Sequence, residues 1–161
     1  MKDIEDFKII VASSKREFHD GGLLFKEYAS AINFDAGFKN FSDELMSLET
    51  RYAYPNGGLL LAYKNTEAIG CIAIVSMEDR IAELKRFYVK PEFRQFKIGA
   101  KLLTSAVMTA KQFKFHYLRL EVIPSLTKAK KLYHSFGFYQ IEPYHEVALD
   151  GTAYMEKNLL A

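Results

Sequence analysis

The chain has no tryptophan, one cysteine, four prolines and a formal charge of only +2, and each shortage narrows what it can be. The lone Cys71 excludes an intramolecular disulfide and a cysteine-based metal site. Set in the apolar run IGCIAIV, it reads as a buried structural thiol. So small a charge excludes a general polyanion binder unless cations gather locally, and no nucleic-acid partner is expected. No apolar run approaches the ~20 residues of a membrane span, and the opening MKDIEDFKII lacks the basic and apolar regions of a secretory leader. A cytoplasmic protein with no membrane partner is therefore expected. His19, His116, His134 and His145 show no ligand spacing, so no metal is expected. Ser125 and His134 lack the G-x-S-x-G elbow of a serine hydrolase.

What is present suits a single domain spanning 1–161, with 49% apolar and 26% charged residues and no internal repeat. Phe7 to Ala12 reads as a strand. From Ser14 to about Phe34, the spacing of Phe18, Leu24, Phe25 and Tyr28 predicts a helix. Phe34 to Asn40 breaks that pattern, and Ser42-Asp43-Glu44-Leu45 offers an N-cap followed by acids for a second helix. The turn cluster Pro55-Asn56-Gly57-Gly58 then leads into LLLAY, AIGCIAIVSM and AELKRFYV, three strands of an antiparallel meander that stops at Pro91. Ile98, Leu102, Leu103, Ala106, Val107 and Ala110 form one helical stripe. Beyond it come the strand Tyr117 to Val122, the short helix SLTKAKKLYHSF ended by Gly137, and the strands FYQIE and TAYMEKNL. The order βααβββαβαββ predicts a mixed sheet of the α/β or α+β class.

The junction FYVKPEFRQFKIGAKLL joins a strand to a long amphipathic helix through a basic, glycine-containing turn. A helix N-terminus carries unpaired N–H groups and about half a positive charge, which suits a pyrophosphate. Lys90, Arg94, Lys97 and Lys101 crowd that same end, where the dipole disfavours cations. Taken alone, the cluster reads better as merely solvated charges on a helix start.

The stretch Arg94-Gln95-Phe96-Lys97-Ile98-Gly99-Ala100 resembles the acetyl-CoA signature R/Q-x-x-G-x-G/A of GNAT N-acetyltransferases, with Lys97 standing where the first glycine is usual. Downstream, YLRLEVIPS, KKLYHSFGF and YMEKNL are similar to the family's continuing pattern, so the resemblance runs from about Leu59 to Leu159. It implies a largely antiparallel central sheet of about seven strands with flanking helices. It also implies acetyl-CoA as co-substrate, a primary amine of a small molecule or peptide as acceptor, and direct attack in a ternary complex. Homodimers are common in such folds. Phe87, Tyr88 and Val89 would pair their backbone with the pantetheine arm, and the N–H groups from Gln95, Phe96, Lys97, Ile98, Gly99 and Ala100 would hold the pyrophosphate with Arg94.

By the same resemblance, Tyr133 stands where the family commonly has the general acid for the departing thiolate; without that context it is a core aromatic. The attacking amine must lose a proton, and the resemblance implies Glu83 and Glu121, at positions where the family carries its base, as the candidates. On a period-two strand Glu83, Lys85, Phe87 and Val89 share one face, and Glu83 is the favoured base; the alternative reading of either carboxylate is a mere charge partner for Lys85, Arg86 or Arg119. Tyr28, Phe34, Asp35, Phe38, Tyr144, His145 and Glu146 would border the acceptor pocket. The rival from another class is a non-catalytic acyl-CoA-binding module.

Overall fold

The computed structural model describes residues 7–32, 40–147 and 149–160. Seven strands form one sheet in the order β1-β2-β3-β4-β5-β7-β6: β1 (Phe7–Val11), β2 (Gly57–Lys64), β3 (Glu67–Glu78), β4 (Ile81–Val89), β5 (Tyr117–Val122), β6 (Tyr139–Ile141) and β7 (Ala153–Asn158). β1 to β4 are an antiparallel meander, as their turn signals imply. The expected mixed, largely antiparallel sheet is present: β4 and β5 run parallel, and β7 inserts antiparallel between β5 and β6.

Helices cover both faces. α1 (Lys15–Ile32), α2 (Phe41–Met46) and α3 (Leu48–Arg51) lie over one face, where Phe18, Leu24, Phe25, Leu48 and Tyr52 pack on Leu59, Leu61, Cys71 and Ala73. α4 (Ile98–Gln112) and α5 (Thr127–Ser135) cover the other. The stripe read from the sequence, Ile98 through Ala110, is the buried edge of α4. Each large aliphatic side chain there contributes about 1.5–3 kcal/mol by leaving water. α4 lies close against β3 because Gly70 has no side chain; a Cβ there would come within 3.1 Å of both Leu102 Cδ1 and the Tyr88 carbonyl oxygen.

Two local expectations are corrected. The second helix does not start at a Ser42 cap. It begins at Phe41 behind Asn40, in the left-handed region at φ 60°, and breaks at Ser47, whose hydroxyl donates back to the Asp43 carbonyl at 2.7 Å. Nor do Glu83 and Lys85 share a face with Phe87 and Val89. Cys71 pairs with Tyr88 but Ala73 pairs with Lys85, so β4 carries one extra residue, a bulge at Arg86 with φ 59°. The bulge inverts the alternation. Ala82, Leu84, Phe87 and Val89 pack toward α4, whereas Tyr88 packs toward α1.

Candidate active site

The cleft starts where two parallel strands part. β4 and β5 pair only through Ile81, Ala82 and Glu83 against Tyr117, Leu118 and Arg119. Beyond Glu83 the edge of β4 has no β5 partner, and a cleft of about 720 Å³ opens between them. Its walls are β4 from Glu83 to Val89, β5 from Glu121 onward, α5 through Ala129, Leu132 and Tyr133, and the last turn of α1 through Tyr28 and Ile32.

One end of the cleft is the start of α4. Lys97 caps it at φ 60°, makes no side-chain cap bond, and no acid stands in the first turn. The first helical bond runs from the Lys101 N–H to the Lys97 carbonyl, so the N–H groups of Ile98, Gly99 and Ala100 have no intrahelical partner, a cradle for an anion. A Cβ at 99 would lie 3.4 Å from the Phe87 ring, in van der Waals contact. The left-handed turn at 97 explains why a glycine is usual at this position of the signature: a side chain there costs about 1–2 kcal/mol. Arg94, Lys97, Gly99 and Ala100 line the cleft. Arg94 is braced by its Nε, which donates to the Val89 carbonyl at 2.8 Å, and it lies 5.6 Å from the Tyr88 ring.

Not every expected contact points inward. Lys90 is turned away into ion pairs with Glu27 at 3.3 Å and Glu67 at 3.5 Å. The Phe96 ring packs on Phe7, with centroids 5.4 Å apart, and Ile98 is fully buried in the core. Gln95, Phe96 and Ile98 are not among the residues that line the cleft, and Ile98 reaches the cradle only with its backbone N–H. These residues and a pyrophosphate-bearing co-substrate fit one another on the strength of the N–H groups without an intrahelical partner and the flanking cations.

The other end is built from side chains. Glu83, with its side chain 10% exposed, accepts at Oε2 a hydrogen bond from the Tyr144 hydroxyl at 2.9 Å, and His145 Nε2 lies 3.1 Å from the same oxygen. Arg119 lies 5.3 Å from the Tyr144 ring and Tyr154 packs edge-on at 5.2 Å, so the loop before β7 is pinned over β4. Glu121 stands beside them on β5, and ligand atoms of Glu83, Glu121 and His145 lie within 4.8 Å of one another. Among the described residues this is the set whose donors converge closely enough for a cation, although Glu83 already uses one oxygen in hydrogen bonds. Glu121 is open to the cleft, yet partial desolvation and the nearby Glu83 charge raise its pKa above the ordinary carboxylate value.

Tyr133 sits between the two ends. Its ring packs against Phe87 at 6.0 Å and Phe138 at 5.7 Å, and its hydroxyl has no hydrogen-bond partner among the described residues. Burial, with a smaller contribution from Tyr28, holds its phenol well above the ordinary value, so it is protonated at any physiological pH. Cys71 is fully buried and its Sγ lies 3.2 Å from the Arg86 carbonyl oxygen. Burial pushes its thiol far up, which leaves no nucleophile.

The cleft thus gathers Glu83, Glu121, Tyr133, Phe87, Tyr88, Val89, Arg94, Lys97, Gly99 and Ala100. Tyr28, His145 and Glu146 line it as well; Phe34, Asp35 and Phe38 lie outside the described residues. Missed as wall residues were Leu126, Ala129 and Leu132 on α5, whose stripe in SLTKAKKLYHSF read simply as a helix face. Missed too was the loop histidine His145 as a partner of Glu83, for which no local pattern gives a signal.

Comparison with known proteins points the same way. The profile of the Acetyltransferase (GNAT) family matches residues 26–138. An uncharacterised N-acetyltransferase of Schizosaccharomyces pombe is 30% identical over 156 residues, covering 96% of this chain and 87% of that protein. An acetyltransferase from Streptococcus agalactiae superposes with a TM-score of 0.79 at 22% identity, covering 96% of this chain and 99% of the other. The yncA protein of Salmonella typhimurium, solved with its cofactor acetyl-CoA, superposes with a TM-score of 0.68 at 15% identity over 96% of this chain and 95% of its own.

Proposed function

Since the chain belongs to the GNAT family and is an N-acetyltransferase, we propose that it moves an acetyl group from acetyl-CoA to a primary amine of a small molecule or peptide, by direct attack within a ternary complex. One observation carries this reading: the parting of β4 from β5 puts an anion cradle and a carboxylate cluster at opposite ends of one cleft. Acetyl-CoA, when bound, supplies a thioester carbonyl for the amine to attack. The unpaired N–H groups of α4, with Arg94 and Lys97, bind the pyrophosphate, and the free edge of β4 from Phe87 to Val89 aligns the pantetheine arm like an added strand. A backbone N–H near Tyr88 or Val89 stabilises negative charge on the carbonyl oxygen.

Glu121 is the base in this reading. It is open to the cleft, and its raised pKa brings it nearer the working pH than an ordinary carboxylate. Glu83, engaged by Tyr144 and His145, positions the loop and adds negative charge that attracts an ammonium. Tyr133 donates a hydrogen bond to the leaving sulfur. Full proton transfer is uphill, since a thiol of pKa about 8.5 is a stronger acid than a buried phenol. A cytoplasmic setting belongs to the same proposal; among the described residues no helix is long and apolar enough to cross a membrane.

The test is calorimetric titration with acetyl-CoA followed by a turnover screen of primary amines. Binding of about −8 kcal/mol, a micromolar affinity, with acetylation of at least one amine is the expected result. Absence of cofactor binding would remove the reading.

A further inference from the structure

The acceptor end of the cleft holds a cation, Lys85, that has no ion pair or hydrogen bond among the described residues. Lys85 lies on β4 two residues after Glu83, before the bulge, so both side chains leave the same face about 7 Å apart along the strand. The parallel register that pairs Glu83 with Arg119 brings Glu121 level with Lys85 across the gap where the strands part. All three line the cleft. Arg86, the next residue, is held bidentately by the buried Glu44, Nε to Oε2 at 3.0 Å and Nη2 to Oε1 at 2.7 Å. Lys85 makes no ion pair or hydrogen bond with any described residue, although it is half-buried and Glu44, Glu83 and Glu121 are near enough to act on it through space. Burial and then Arg86 lower its pKa, as expected of an ammonium that lacks a counter-charge in contact.

A half-buried, unbridged lysine beside the proposed base is wasteful for a plain amine, since it repels the ammonium that Glu83 and Glu121 attract. It becomes favourable when the acceptor brings its own negative group. Resting on the acetyltransferase reading above, we infer that the acceptor is a small amine carrying a carboxylate near its amino group, an amino acid, with Lys85 binding the carboxylate and the Glu83–Glu121 pair receiving the amine. One negative charge fits better than two: a phosphate dianion would stand beside both carboxylates. The short spacing along β4 favours amine and carboxylate separated by a few bonds.

The experiment measures kcat/KM for a panel of L-α-amino acids, each against its decarboxylated amine and its amide, with rates corrected to the concentration of free amine. The enzyme is expected to favour amino acids by at least about tenfold, the worth of one charge-assisted hydrogen bond. In Lys85→Met that ratio falls toward one, while Lys85→Arg keeps it; calorimetry with acetyl-CoA verifies that both variants retain the folded cofactor end. If the amines or amides react as well as the amino acids, if Lys85→Met keeps the preference, or if acetyl-CoA binds but no amino acid is acetylated, the inference is overturned and the reading beneath it survives. If acetyl-CoA does not bind at all, that reading fails, and this one with it.

Discussion

The two ends of the cleft are made in different ways. The end proposed for the cofactor is backbone: the N–H groups of one helix start, a left-handed turn at Lys97 and the open edge of β4. The end proposed for the acceptor is side chain: Glu83 and Lys85 from β4, Glu121 from β5, His145 from the loop before β7, resting on a bulge at Arg86 that Glu44 of α2 holds in place. Backbone geometry tolerates substitution of nearly every residue that builds it. A site made of converging side chains changes its chemistry with each one, so one fold keeps its cofactor and alters its acceptor.

The largest effect expected from breaking this division is on Glu121. Glu121→Gln should lower kcat by about 10²–10⁴-fold, the usual range for a lost general base, while leaving acetyl-CoA affinity unchanged in calorimetry. The wild-type rate should rise with pH through an inflection above the ordinary carboxylate value, because the base works only after losing its proton. A full-rate Glu121→Gln enzyme with a dead Glu83→Gln counterpart would return the role to Glu83.

Next is the floor under the acceptor end. Burial alone would raise the Glu44 pKa, but the bidentate Arg86 contact outweighs it and holds the carboxyl below its ordinary 4.5. Tyr52 donates a further hydrogen bond at 2.8 Å. Glu44→Ala should cost about 3–5 kcal/mol in denaturant unfolding, because it removes the bidentate carboxylate from a buried guanidinium. A folded-state pKa below the unfolded value means the carboxylate contributes fully above pH 4.5 and loses that contribution as pH falls through the folded value. Acid unfolding of the variant should therefore be less steep than that of the wild type.

The smallest effect lies at the cofactor end. Lys97→Gly relieves a left-handed side chain worth about 1–2 kcal/mol and gives back about 0.5–1 kcal/mol in backbone entropy. A net gain of about 0.5–1 kcal/mol in stability is expected, with acetyl-CoA affinity reduced less than about threefold by loss of an exposed charge. A large fall in affinity would make Lys97 a specific ligand and blur the contrast between the two ends.

The same contrast explains what could be read from the chain. The meander, the buried stripe of α4 and the strand–turn–helix at Arg94 to Ala100 are contiguous, so periodicity and the signature reveal them. The bulge at Arg86 is invisible to a period of two, because nothing in AELKRFYV marks the extra residue; its cause is the register against β3 and the grip of Glu44 from 42 positions away. His145 meets Glu83 across 62 positions, and only the β7 insertion beside β5 brings its loop there. The split between α2 and α3 was hidden for another reason: Ser47 looks ordinary inside a helix until its hydroxyl turns back on Asp43.

The measurement that bears most directly on the account is a crystal structure with acetyl-CoA. The pyrophosphate should lie at hydrogen-bond distance, about 2.7–3.2 Å, from the N–H groups of Ile98 to Ala100, with the pantetheine arm along Phe87 to Val89 and the thioester facing Glu121 and Tyr133. A pyrophosphate held away from the start of α4, or a thioester pointing away from Glu121, would contradict it.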